Sequence, residues 1–274
     1  MDCVFWGMPI RYAVPLHRPT GSQFREMHHV ITGWAFDLQN EFGRLMDETI
    51  YKRALARRLR KEGFVVCNEA KMTLIHEDFA KDYFMDLLVE GSMPVEAKVA
   101  ERIVPPHRAQ TMNYLFLGEL PHASLVNFRP PSVEHEMVST RHTLASRRQF
   151  SWGRRCGNKF GARTQEFESR LEVLVRDWGG LLETQAYREA MIHFMGGASL
   201  VCRKVAIFSD GENLGGQPMN LIEDDLAFSL TSLTREISSF KTQLQRLLNQ
   251  TKLHSILWVN MNKLEISSEM LTRA

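Results

Sequence analysis

The chain has 274 residues, 44% of them hydrophobic and 24% charged, with a formal net charge of +2 and a pI near 8.4. That balance excludes a disordered chain and a strongly polybasic or polyacidic one, and the length suits one large domain or two of ordinary size. No apolar run reaches the roughly 18 residues that a bilayer span requires, and four dispersed cysteines (Cys3, Cys67, Cys156, Cys202) exclude a CxxC zinc site or a disulfide framework. A reducing cytoplasm is the expected setting, with no membrane partner.

In chain order, residues 1–22 read as an N-terminal extension. Three prolines and Arg11 argue against a signal peptide, and an added strand fits the mildly apolar run. Val30, Ile31, Trp34, Leu38 and Phe42 recur at helical period, predicting a helix over His29–Phe42. A second helix is predicted from about Leu45, with Ile50, Tyr51, Ala54, Leu55 and Leu59 on one face and Gly63 closing it. Strands follow at residues 64–67, 72–75, 83–89 and 94–100, then a helix over Pro105–Leu117 and strands at 123–128 and 133–138. Helices packed on one small mixed sheet are the expectation for residues 23–140.

Asp86 and Glu96 flank Gly91 symmetrically, so a hairpin turning there sets the two carboxylates side by side. Lys98, two residues beyond Glu96, shares its strand face. Two carboxylates beside an ammonium suit Mg²⁺ or Mn²⁺, which is held by oxygen ligands and retains waters. Leu87, Leu88, Val89, Val95, Ala97 and Val99 mark the strands as buried, where unpaired charge is costly. Glu48, one turn before Tyr51, is either a third acid for the ion or a helix-start acid complementing the dipole. Gln110 and Tyr114 lie one turn apart and either contact substrate or simply cover the sheet. His107 and Arg108 suit a phosphate contact or solvent.

Residues 141–163 are basic without an acidic residue: Arg141, Arg147, Arg148, Arg154, Arg155, Lys159 and Arg163, with Phe150, Trp152 and Phe160 interleaved. This reads as a linker, either a nucleic-acid contact surface through counterion release and base stacking or a solvated tether. After it the pattern restarts. Gly43, Leu45, Tyr51 and Ala54 recur as Gly179, Leu181, Tyr187 and Ala190, and without a gap Arg102, Gln110, Val126-Asn127 and Glu136-Met137 recur as Arg235, Gln243, Val259-Asn260 and Glu269-Met270. Residues 164–274 are therefore expected to be an internal repeat. In it Asp86 aligns with Asn220, Glu96 with Ser229 and Lys98 with Thr231, leaving only Gln243 in place of Gln110. Such a copy lacks the carboxylates an ion needs.

Residues 28–140 resemble the GxxExxY protein family, a branch of the PD-(D/E)XK nuclease-like superfamily. The resemblance rests on Ala35–Gly43, Glu48-Thr49-Ile50-Tyr51, Met85–Val89, Val95-Glu96-Ala97-Lys98, Gln110–Tyr114 and Leu125–Phe128. Leu45 stands where the naming glycine is expected, and Gln39 where a histidine is common. The resemblance implies a restriction-endonuclease-like αβββαβ core, here duplicated with a degenerate second copy. It also implies Asp86 and Glu96 as metal ligands, Lys98 as catalytic lysine, Glu48 as the helix carboxylate and Gln110 with Tyr114 as a QxxxY element. The expected function is metal-dependent hydrolysis of DNA or RNA, as a monomeric pseudo-dimer or a homodimer. A non-catalytic nucleic-acid- or protein-binding module is the alternative.

Overall fold

A Thr-Gly-Ser-Gln run starts the first helix. Gln23 N–H donates to Thr20 Oγ1 at 3.3 Å, and the Gln23 side chain accepts from Thr20 N–H at 2.9 Å. This reciprocal cap satisfies two otherwise bare donors, so α1 spans Gly21–Phe42 and begins a full two turns before the periodic residues that predicted it. Helix α1 buries Phe24, Met27, Ile31, Ala35 and Leu38, and ends at Gly43, whose φ of 73° favours glycine. Helix α2 (Glu48–Lys61) buries Tyr51, Leu55, Ala56 and Leu59. Tyr51 O–H donates to the Gly43 carbonyl, and its ring stacks on Phe128 with centroids 4.2 Å apart. These two residues fix the turn that delivers Glu48. Leu45 stays 79% exposed and takes no part in it.

The computed structural model describes residues 9–273; Cys3 and the first eight residues of the expected extension lie outside them. The chain divides into two units, Met1–Leu144 and Ala145–Ala274. In the first, six strands are ordered β1-β2-β3-β4-β5-β6: β1 (Ile10–Tyr12), β2 (Val66–His76), β3 (Phe79–Val89), β4 (Met93–Lys98), β5 (His122–Asn127) and β6 (Glu134–Ser139). All neighbours are antiparallel except β4 and β5, which run parallel and are joined by α3 (Pro105–Gly118), because a parallel pair needs a long crossover. The two strands predicted at 64–67 and 72–75 are one, β2, bent at Glu69, which has φ 50°. Its polar middle resembled a turn but is the exposed stretch of a long hairpin.

Leu87, Val89, Met93, Val95, Ala97, Val126 and Phe128 form one core with the apolar faces of α1 and α2. Side chains alternate along a strand, so Asp86, Glu96 and Lys98 belong to the opposite face.

The second unit holds α4 (Leu144–Arg147), β7 (Ser151–Trp152), α5 (Ala162–Trp178), α6 (Thr184–Phe194), α7 (Ala198–Val201), β8 (Cys202–Ser209), β9 (Glu212–Glu223), β10 (Leu226–Thr231), α8 (Ile237–Asn249), β11 (Ser255–Asn262) and β12 (Glu265–Thr272). Its sheet runs β7-β12-β11-β10-β9-β8. From β8 to β12 the pairings are antiparallel, antiparallel, parallel, antiparallel, the same series as β2 to β6. Long-range hydrogen bonds recur at matching places. Asn127 holds both the N–H (2.9 Å) and the carbonyl (2.8 Å) of Ala100, as Asn260 holds those of Leu233 at 2.8 and 3.0 Å. Arg108 pairs with Glu136 as Lys241 pairs with Glu269.

Residues 141–163 are not a linker: from residue 145 they are built into the second unit as α4, β7 and a short 3-10 turn at Gly157–Phe160. Helix α5 ends with carbonyls that its own turns cannot satisfy. Arg147, fully buried, donates to the carbonyls of Trp178 (2.9 Å) and Gly180 (3.1 Å), and Arg148 donates to that of Asp177 at 2.6 Å. Two charges of the run, Arg147 and Arg148, are therefore the cap of a helix. Among the described residues Cys67, Cys156 and Cys202 are free thiols, and no helix is long and apolar enough to cross a membrane.

Candidate active site

The site begins where β3 and β4 part. Their backbone pairing runs Val89↔Met93, Leu88↔Pro94, Leu87↔Val95 and then stops. Continued by one step, the register sets Asp86 against Glu96. At that step the ladder is replaced by a side chain: Ala97 N–H donates to Asp86 Oδ2 at 3.1 Å. Strand β4 meanwhile stays paired with β5, Glu96 with Leu125 and Lys98 with Asn127. On the other side of β3, pairs Asn68↔Leu87 and Ala70↔Met85 flank the level of Asp86, and the β2 residue there is the left-handed Glu69. The ladder is interrupted on both sides of Asp86, leaving its carboxylate in a fork. Left-handed backbone at a non-glycine residue costs energy and tends to collect at functional sites.

Charges are packed densely in that fork. Glu96 is only 2% exposed; its Oε1 accepts from Lys98 Nζ at 2.5 Å, while Oε2 is buried with no hydrogen-bond partner among the described residues. Burial, then the Asp86 carboxylate, push the Glu96 carboxyl up to about 7 against the opposing pull of Lys98. Asp86 Oδ1 accepts from Lys52 Nζ at 2.8 Å. Burial lowers the Lys52 ammonium, but Asp86 and then Glu48 and Glu69 more than offset it and raise it overall. Glu48 opens α2 and adds to the negative field at Glu96. It does not complete a third ligand: among the described residues no three His, Cys, Asp or Glu side chains gather into a ready cage.

Other expected residues are placed as follows. Gln110 Nε2 donates to the hydroxyl of the buried Tyr114 at 3.0 Å. His107 Nδ1 accepts from Val104 N–H at 3.3 Å and so caps α3. Arg108 forms a two-pronged pair with Glu136, Nε at 2.6 Å, which holds the Glu136 carboxyl below its ordinary range. Both side chains thus have structural partners within the first unit. Arg147 is buried and cannot reach nucleic acid. Arg154 pairs loosely with Glu269 at 3.4 Å; Arg155 pairs with Glu172 at 2.5 Å and lies 4.2 Å over the Trp152 ring.

In the second unit Ser229 pairs with Trp258 and Thr231 with Asn260, matching the pairing of Glu96 with Leu125 and Lys98 with Asn127. Thr231 Oγ1 donates to Asn260 Oδ1 at 2.8 Å and accepts from Trp258 Nε1 at 2.9 Å, so neutral hydrogen bonds stand where the first unit has charge. The expected counterpart of Asp86 needs correction. Asn220 pairs with Phe228, the place of Leu87 and Val95, so the residue set against Ser229 is Met219. A bulge between Leu226 and Ala227 shifts the register of β9 by one residue here. Gln243 is exposed on α8.

Residues 25–140 match the family model of the PD-(D/E)XK nuclease superfamily. Among curated proteins and among solved structures, nothing matches the chain. The nuclease-superfamily segment takes in Glu48, Asp86, Glu96, Lys98, Gln110 and Tyr114, and stops before the second unit. Sequence reasoning missed Lys52. Its signal was the four-residue spacing from Glu48 on a helix, the same rule that linked Glu48 to Tyr51.

Proposed function

We propose that residues 25–140 carry a divalent-cation-dependent phosphodiesterase site for DNA or RNA, of the GxxExxY branch, and that the second unit is a degenerate, inactive copy. The observation that carries this reading is the fork: Asp86, Glu96 and Lys98 converge where β3 leaves β4, and Glu96 Oε2 is buried there without a partner. A buried oxygen left unpaired costs about 1–3 kcal/mol or more, and a cation removes that cost. Nucleases of this superfamily typically use divalent metals. Mg²⁺ or Mn²⁺ fits the donors present, since such ions take one or two carboxylates and leave positions for water and phosphate.

Asp86 and Glu96 would hold the ion, with Glu48 facing its water shell. When bound, it supplies Lewis-acid charge beside the scissile phosphate. Glu96 must be ionised to bind it, and burial delays that ionisation to about pH 7. Lys98 Nζ, already at Glu96, orients the attacking water and neutralises charge that develops on phosphate. Gln110 with Tyr114 contacts the substrate backbone. Arg53 and Arg57, exposed and one turn apart on α2, offer the phosphate track that Arg147 cannot.

The repeated order of strand pairings and the matched Asn127 and Asn260 clamps support descent of both units from one ancestor. A titration of Mg²⁺ and Mn²⁺ against single- and double-stranded DNA and RNA tests the activity. Asp86→Asn and Lys98→Ala are expected to lower cleavage by at least about 100-fold with unchanged circular dichroism. Wild-type protein that cleaves none of these substrates with either ion would sink the reading.

A further inference from the structure

Lys52 has no role in the phosphodiesterase reading, on which the following inference rests. It lies one turn after Glu48 on α2, and its Nζ is 2.8 Å from Asp86 Oδ1, with side chains 16% and 15% exposed. The other oxygen of Asp86 is held by the backbone of Ala97. Each carboxylate of the fork therefore has its own ammonium, but the two lysines are attached differently. Lys98 is on the same strand as Glu96, two residues away, and keeps its place with that strand. Lys52 reaches in from a helix on a flexible four-carbon stem and binds the one oxygen of Asp86 that no backbone group holds.

The second unit provides a comparison. Arg188 follows Tyr187 as Lys52 follows Tyr51, and its guanidinium donates to the Leu230 carbonyl of β10 at 3.2 Å. A basic side chain leaves the matching helix position in both units, Lys52 toward the Asp86 carboxylate on β3 and Arg188 toward a backbone carbonyl on β10, so it meets a carboxylate only in the first unit.

We propose that Lys52 is a positioning residue that holds the Asp86 carboxylate in the ion-free site and yields Oδ1 to an incoming divalent cation, so that it sets how tightly that cation binds. Two opposed effects follow from removing it. Restraint on Asp86 is reduced, yet the Ala97 N–H still fixes Oδ2. Competition for Oδ1 is removed outright, and with it a repelling positive charge. The second effect is larger, so loss of the ammonium tightens cation binding.

Calorimetric titration of Mn²⁺ into the full chain tests this without reference to turnover. Lys52→Met is expected to bind Mn²⁺ on the order of ten-fold more tightly than wild type, the scale of one partly buried ion pair. Lys52→Arg, which keeps the charge, should stay near the wild-type affinity, and Asp86→Asn should lose binding. Lys52→Gln repeats the measurement if Lys52→Met unfolds. Equal or weaker binding in folded Lys52→Met or Lys52→Gln overturns the role of Lys52 and leaves the cation site standing. No Mn²⁺ uptake by wild type or any Lys52 variant overturns both.

Discussion

Glu96 illustrates how a single residue links the fold to the chemistry. Its folded carboxyl titrates near 7 against an ordinary 4.5. Between those values the folded chain keeps a proton that the unfolded chain releases, so stability falls as pH rises through the window. Glu96→Gln cannot ionise. It should be more stable than wild type at pH 8 by roughly 1–2 kcal/mol, allowing for the lost bond to Lys98, and near equal at pH 4.5. Urea unfolding at both pH values checks this; a variant less stable at pH 8 would show that the ionised form is favoured. The same residue was legible in the sequence because apolar neighbours surround it. Lys52 was not, since its importance depends on where a helix crosses a strand pair.

Among elements, the joint between β4 and α3 depends on one amide. Asn127, fully buried, spans the N–H and carbonyl of Ala100 and also reaches Glu134 Oε2 at 3.2 Å. Asn127→Ala leaves these groups without partners and should cost about 2–3 kcal/mol, with Asn260→Ala doing the same in the second unit. Because β4 carries Glu96 and Lys98, Asn127→Ala should also weaken Mn²⁺ binding, whereas Asn260→Ala should not. Chemical denaturation and calorimetry of the two variants separate these outcomes. Strand and helix types followed from periodicity, but three boundaries did not. Helix α1 was extended by the Thr20–Gln23 cap, β2 ran through its polar middle, and Arg147 and Arg148 of the basic stretch became the cap of α5. In each case hydrogen bonds overrode hydropathy.

At the scale of the molecule, each unit has its own sheet, its own helices and its own buried cluster. Residues 1–144 expressed alone should fold cooperatively and keep the Mn²⁺ affinity of the full chain to within about three-fold, as an autonomous core requires. A non-cooperative melt by circular dichroism, or lost binding, would show that the first unit needs the second. The sequence alone determined the class of each half, the hairpin centred near Gly91 and the carboxylate–carboxylate–lysine spacing, because strand alternation and helix period are local rules. Tertiary structure decided that β3 and β4 separate at Asp86, that Lys52 binds there, that Met219 stands where Asn220 was expected and that Arg147 is buried. Those features come from which strands stop pairing and which loops cap a distant helix, and no local pattern encodes a contact between segments far apart in the chain.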